Sequence, residues 1–436
     1  MGRRSPLMAC ASGRRLAAFV LVVACACSAS PGAPDRPDST PTPPAAQAPS
    51  SPSLSAPPAP APDEPIITVR VSHAPWTAAI EATVGAADVS VAVGTGSHIR
   101  FLHLGEKRRI PASNQKLLTS MTALDTWGAS FRFPTTAVAR KASRGGLIGG
   151  DLFLVGSGDP EVDASVIARL ADRIRAAGVR RIDGSVVGDT TAFSREWWAP
   201  GWVPGLSRSF VNRTTALAFE GNAGALPELA AARSLTASLE ALGVVVAGEP
   251  EAGEAPDSAA EVTRIASAPL ATLLATQNHG SVNFYAESML KALGAEATNG
   301  VGSTEAGAAA VERWAADRGE SVQVRDGSGL SHEDRISARS LVSLLLLARR
   351  APWGNTLVTS LPGPGEGTLG RRLIGLPVHA KTGTLFEVPV SSLAGYVVDA
   401  SGSPVAFASI SRGLDKAAAT VIEDEIVRVI AGARVG

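Results

Sequence analysis

Lysine is scarce in this chain of 436 residues: six lysines stand against 34 arginines. Arginine therefore carries most of the positive charge. A lysine kept inside an apolar segment points to something arginine cannot do, which is to give up a proton when desolvated. Cysteine is scarcer still. Cys10, Cys25 and Cys27 all fall near the N-terminus, so the rest of the chain has no disulfide, no cysteine nucleophile and no thiolate metal site. The six histidines are scattered, and no pair has the i, i+4 spacing of a helical zinc site. Acidic and basic residues, 40 of each, cancel. Without a basic stripe or tail, no nucleic-acid partner is expected.

The N-terminus reads as an export signal, residues 1–27. Arg3, Arg4, Arg14 and Arg15 precede the apolar run "LAAFVLVVACA", which is too short to span a bilayer as a permanent helix. "VVAC" at Val22–Cys25 resembles a bacterial lipobox and would make Cys25 a lipid anchor. "ACA" at Ala24–Ala26 also fits ordinary signal cleavage, so both forms stay open. Residues 28–65 are rich in Pro, Ala and Ser and cannot bury a core. They read as a disordered linker: either a tether or a dispensable tail. The expected location is the cell envelope, outside the cytoplasm.

The chain beyond residue 65 is long enough for more than one domain. "DVSVAV" alternates, turns at "GTGS", and continues as "HIRFLHLG", a β-hairpin pattern. In "PASNQKLLTS", Pro111 to Ser120, apolar residues then recur at Leu117, Met121 and Leu124, one face of a helix whose first turn holds Ser113 and Lys116. From Phe131 short strands alternate with the helices "SVIARLADRIRAAGV" and "ELAAARSLTASLEALG". The first of these is expected to bury Val166, Ile167, Leu170 and Ile174. Helical patterning returns at "APLATLLATQNHGSVNFYAESMLKALG". Strand signals come next at "SSLAGYVVDASGSPVAFASIS", and then a last helix with Ile422, Ile426, Val429 and Ile430 on one face. Helices flanking an antiparallel sheet predict an α+β class. The predicted organisation is one discontinuous domain, 66–130 and 266–436, interrupted by inserted domain or domains at 131–265.

A serine is a poor nucleophile until a neighbour takes its proton. At a helix start Ser113 has backbone N–H groups nearby, and a neutral Lys116 one turn along can be the base. By itself Ser-x-x-Lys is weak evidence. Two more stretches strengthen it. "HGSVNFYAE" places Ser281 and Asn283 two apart at a loop–helix junction. "HAKTGTL" places Lys381, Thr382, Gly383 and Thr384 on a strand. There lysine offers charge and threonine a hydroxyl to a substrate carboxylate, and glycine lets the substrate backbone approach. All three occur in the order found in penicillin-binding proteins and class A β-lactamases.

The chain further resembles the D-alanyl-D-alanine carboxypeptidases of peptidase family S13, the class C low-molecular-mass penicillin-binding proteins. The likeness rests on "PASNQKLLT", "GDLFLVGSGDP", "DGSGLS" at Asp326–Ser331, "KTGTL" and "SSLAGYV", and on the 168 residues between Ser113 and Ser281. No Glu-x-x-Leu-Asn stretch supplies the deacylating glutamate of class A β-lactamases. The resemblance implies a transpeptidase/β-lactamase-like domain with insertions and a serine peptidase that needs no cofactor or metal. It would act on peptidoglycan stem peptides as a carboxypeptidase, and also as a D,D-endopeptidase, and would bind β-lactams. It makes Ser113 the acylated nucleophile, Lys116 its proton acceptor, Ser281 the relay to the leaving amine and Asn283 the residue holding Lys116 and the substrate amide. Lys381 and Thr382 would bind the terminal carboxylate, and the amides of Ser113 and Thr384 would form the oxyanion hole. A β-lactamase or esterase on the same scaffold, or a tethered non-catalytic peptidoglycan-binding protein, are the rival readings.

Three departures from the family pattern bear on substrate preference. Val282 stands where aspartate is usual, outside the proton path. His332 comes after "DGSGLS" where arginine is usual. The segment after Thr384 is about two residues longer, and brings Phe386 and Glu387 either to the site or into a looped-out bulge. Asp326–Gly329 reads as a tight turn, Asp159-Pro160 as another, Trp197, Trp198 and Trp202 as core packing or a lid, and His279 as a satisfied loop residue.

Overall fold

The computed structural model describes residues 67–140, 145–205 and 207–436. The leader with Cys25 and the segment to Pro65 lie outside the described residues. The chain opens with β1 (Thr68–Val69), α1 (Pro75–Val84), β2 (Val89–Thr95) and β3 (His98–His103), then α2 (Gln115–Trp127). Next come β4 (Pro134–Ala139), β5 (Leu147–Ile148), β6 (Leu152–Val155), α3 (Ala164–Ala176), β7 (Arg181–Ile182) and β8 (Val186–Asp189). α4 (Ser207–Phe210), α5 (Pro227–Ala241), β9 (Val245–Val246), β10 (Glu251–Ala252) and β11 (Ala260–Ala266) succeed them. The chain continues through α6 (Leu270–Gly280), α7 (Asn283–Thr298), α8 (Thr304–Ala316), α9 (Ala338–Arg350) and α10 (Gly354–Ser360). It ends with β12 (Val378–Leu385), β13 (Val390–Val398), β14 (Pro404–Arg412) and α11 (Lys416–Gly432). The class is α+β.

The largest sheet has the order β1-β3-β2-β14-β13-β12. Its central strands, β2, β14 and β13, are buried on both faces because helices cover both. Val91, Val93, Leu393, Val397, Val405 and Phe407 pack with Trp76 and Ile80 of α1 and with Ile426, Val427 and Ile430 of α11. The residues between them, Ala92, Ala394, Ala406 and Ala408, face the cluster that holds Leu341 and Val342 of α9. Small side chains there let α9 lie close. A Cβ on Gly94 would come within 2.8 Å of Leu346. This period-two split of one run between two cores is what strand geometry dictates.

A five-stranded sheet, β10-β8-β6-β4-β11, is built from residues 134 to 266 and buries its own cluster against α3 and α5. A small parallel sheet, β5-β7-β9, lies in the same stretch. In α3, Ile167, Leu170, Ala171 and Ile174 are buried, while Val166 is only half-buried. In α11, Ile422 and Val429 are likewise half-buried, and Val427 takes a buried place.

Candidate active site

The turn before α2 is not α-helical. Ala112–Asn114 form a 3-10 turn, and Lys116 alone of the pair lies in the first α-turn. Ala112 has φ +48°, and Ser281, the residue that ends α6, has φ +54°. Residues with a Cβ adopt such values only where the surroundings hold them, at a cost of about 1–3 kcal/mol each. Both flank the place where three distant stretches meet.

Lys116 is fully buried. Its Nζ donates to Asn283 Oδ1 at 2.7 Å and to the Ser328 carbonyl at 2.7 Å, and lies 3.2 Å from Ser113 Oγ. Burial lowers its pKa from 10.5 to about 8, against the opposing fields of Asp326 and Glu287. A neutral lysine has two N–H donors and one lone pair. Two partners here are carbonyl oxygens, which only accept. They take both donors and leave the lone pair for the Ser113 hydroxyl. Asn283, the first residue of α7, also donates through Nδ2 to the Phe210 carbonyl at 3.0 Å.

Lys381 of β12 is fully buried too. Its Nζ donates to Ser281 Oγ at 2.9 Å and to the Thr382 carbonyl at 2.7 Å. Burial, with Lys116 and Lys416 nearby, drives its pKa well below the ordinary lysine range. β12 is the edge strand, and it passes hard against Ser113. A Cβ on Gly383 would lie 2.9 Å from the Ser113 amide nitrogen, so only glycine fits.

The open cleft above this cluster is lined by Ser113, Ser281, Asn283 and Thr384. Lys381 lies behind the lining, hydrogen-bonded to the Ser281 hydroxyl. Val203, Phe210, Leu330 and His332 also border the cleft, as do Phe386 and Glu387. The latter two lie in the turn between β12 and β13, whose register runs unbroken to the Leu385–Val390 pair, so no bulge is looped out. Phe386 is 71% exposed at the rim. Among the described residues no cluster of His, Cys, Asp or Glu could hold a metal.

The turn Asp326–Ser331 does more than reverse the chain, because its Ser328 carbonyl holds Lys116. Asp326 is fully buried and accepts from the amides of Gly329 and Ser331 and from Trp202 Nε1 at 2.7 Å. Trp202 is thus a strut rather than simple packing. Trp197 lies under Lys291 Nζ at 5.3 Å, and Trp198 is 40% exposed. His279 is not a satisfied loop residue. It sits in α6, and its buried Nε2 has no partner among the described residues. The roles of the Ser328 carbonyl and of Phe210 were not legible, since both act through backbone oxygens.

The sequence profile of the D-Ala-D-Ala carboxypeptidase 3 (S13) family matches residues 84–223 and 210–433. The chain belongs to this S13 family. This S13 enzyme is a hydrolase of the serine carboxypeptidase type. It is 30% identical to a D-alanyl-D-alanine carboxypeptidase of Actinomadura sp. (strain R39), over 78% of this chain and 79% of that protein. It is 31% identical to carboxypeptidase DacB of Mycolicibacterium smegmatis, over 72% and 73% of the two chains. Its fold matches the crystal structure of penicillin binding protein 4 from Haemophilus influenzae. The TM-score is 0.72 at 20% identity, covering 81% of this chain and 99% of that one.

Proposed function

We propose that this S13 enzyme is exported to the cell envelope and cleaves the D-Ala-D-Ala bond of peptidoglycan stem peptides through an acyl-Ser113 intermediate. Cross-linked stem peptides would be cleaved by the same acyl transfer. The observation that carries this reading is Lys116 Nζ, buried between two acceptor-only oxygens and 3.2 Å from Ser113 Oγ.

Ser113 Oγ attacks the penultimate carbonyl carbon while Lys116 Nζ takes its proton. The new oxyanion sits on the amides of Ser113 and Thr384. When the tetrahedral intermediate collapses, the C–N bond breaks and D-alanine leaves. Its amine receives a proton from the Ser281 hydroxyl, which Lys381 and Lys116 replenish. Water then attacks the acyl-serine ester with Lys116 again as base. Lys381 and Thr382 would bind the substrate carboxylate. That anion would favour the protonated form of Lys381, whose charge burial disfavours in the free site, the proton coming from solvent, so substrate binding and the charge on Lys381 are coupled. Asn283 holds both Lys116 and the substrate amide.

We take 66–130 and 266–436 as the peptidase domain and 131–265 as an insertion whose Val203 and Phe210 reach the cleft. The leader and Cys25 would carry the enzyme to the envelope and anchor it. The decisive experiment is labelling with a fluorescent penicillin. Ser113 should carry the adduct, Ser113→Ala should carry none, and the adduct should persist rather than turn over. A label mapped to another serine would end the assignment, and rapid release would favour a β-lactamase.

A further inference from the structure

Glu287 lies one turn after Asn283 on α7, so both residues share a helix face. Asn283 reaches Lys116 directly. Glu287 reaches the turn behind it. Glu287 Oε1 accepts from the amides of Gly327 at 3.1 Å and Ser328 at 2.8 Å. The same turn carries the Ser328 carbonyl that accepts from Lys116 Nζ at 2.7 Å. The turn is fixed on its other side by Thr119, whose Oγ1 donates to the Gly327 carbonyl at 2.9 Å. It is also pressed onto α7: a Cβ on Gly327 would lie 2.4 Å from the Ala286 carbonyl. Glu287 is 3% exposed and makes no ion pair among the described residues, so no surface salt bridge explains its presence. A buried carboxyl without a cationic partner costs stability unless its oxygens are used.

We propose that Glu287 is a positioning residue for acylation: it holds the Ser328 carbonyl on Lys116 Nζ, and so aims the lysine lone pair at the Ser113 hydroxyl. Neutral Lys116 has two protons to place, on Asn283 Oδ1 and on the Ser328 carbonyl. If that carbonyl swings away, one N–H turns to Ser113 Oγ and the lone pair points elsewhere. The base then remains present but misdirected. What Glu287 must supply is an acceptor oxygen at the right reach, and burial favours its uncharged form, beside the carboxylate of Asp326. A neutral amide of the same length should therefore serve nearly as well.

This inference rests on the acyl-Ser113 reading, and two substitutions separate it from that reading. Glu287→Gln keeps the reach and cannot ionise. Glu287→Asp keeps the carboxyl group and withdraws its oxygen by about 1.5 Å, beyond hydrogen-bond distance of both amides. Each full-length variant is labelled with a fluorescent penicillin, and the acylation rate constant is taken per site that finally labels. Misfolded protein lowers the end-point but not this rate. Glu287→Gln should acylate within about threefold of the parent, and Glu287→Asp should be slower by about tenfold or more, the loss expected for one misplaced hydrogen bond at the reacting centre. The reverse order would show that Glu287 acts through its charge, and equal rates in all three would show a purely structural role. Either overturns the proposal. Failure of the parent to label at Ser113 would instead overturn the acyl-serine reading, and the same labelling shows it.

Discussion

Replacing Gly383 with alanine adds one carbon at the most crowded point of the site. That Cβ would meet Ser392 Oγ at 2.3 Å, the Ser113 amide nitrogen at 2.9 Å and the Pro111 carbonyl at 3.0 Å. The serine hydroxyl could rotate, but it donates to the Pro111 carbonyl at 2.7 Å, and Ser392 is fully buried. The two backbone contacts cannot rotate. To restore an ordinary 3.4 Å contact, β12 must retreat from Ser113 by about 0.5 Å. A displacement of about 1 Å can cost a hundredfold in rate, so the Gly383→Ala variant should acylate roughly ten- to a hundredfold more slowly. Overpacking should also cost about 1–3 kcal/mol of stability. The assay is the acylation rate constant with a fluorescent penicillin, alongside a thermal melt. Gly224→Ala, where an added Cβ meets nothing within 4 Å, is the control. If Gly383→Ala acylates within about threefold of the parent, β12 is not pinned against the Ser113 amide and the crowding argument fails.

The buried charges give three more expected outcomes. Acylation should fall about tenfold per pH unit below a Lys116 pKa of about 8, because only the neutral amine can take the serine proton, and it should level off above that value. Lys116→Arg should lose at least about a thousandfold and show no recovery at high pH, since a guanidinium never becomes a neutral base. Near-normal rates in that variant would show that Lys116 acts by charge alone. Trp202→Phe should lower the denaturation midpoint by an amount equal to about 1–3 kcal/mol, because buried Asp326 loses its indole donor. An unchanged midpoint would mean that the Trp202–Asp326 bond contributes nothing net.

Local chemistry was legible wherever residue type and spacing carry it. The hairpin of β2 and β3, the helix that bears Lys116, and the pairing of β13 with β14 arise from alternation, helical period and a polar turn. Ser113, Lys116, Ser281, Asn283 and the Lys381–Thr384 strand could be singled out because each motif needs those side chains in that order. The limits show at particular residues. Period alone put Val166 in the core beside Ile167, but the sheet under α3 covers only part of that face. Ser113 falls in a 3-10 turn because Ala112 adopts φ +48° against Gly329, where an added Cβ would lie only 1.8 Å from the Ala112 carbonyl. No sequence pattern states such a contact.

What the amino-acid sequence determined by itself was the kit of reactive groups, since side-chain chemistry is local and survives any fold. What only the tertiary structure decided was which state those groups take. Lys116 and Lys381 are lysines in any fold, but burial is what disfavours their charge, with Lys116 adding to the effect at Lys381, and burial is a property of the whole packed chain. The direction of the Lys116 lone pair depends on the Ser328 carbonyl, a group every residue possesses and no sequence motif distinguishes. Residues 113, 283 and 328 meet at one nitrogen because the helices that carry or border them pack into one core, and that is decided by the fold as a whole.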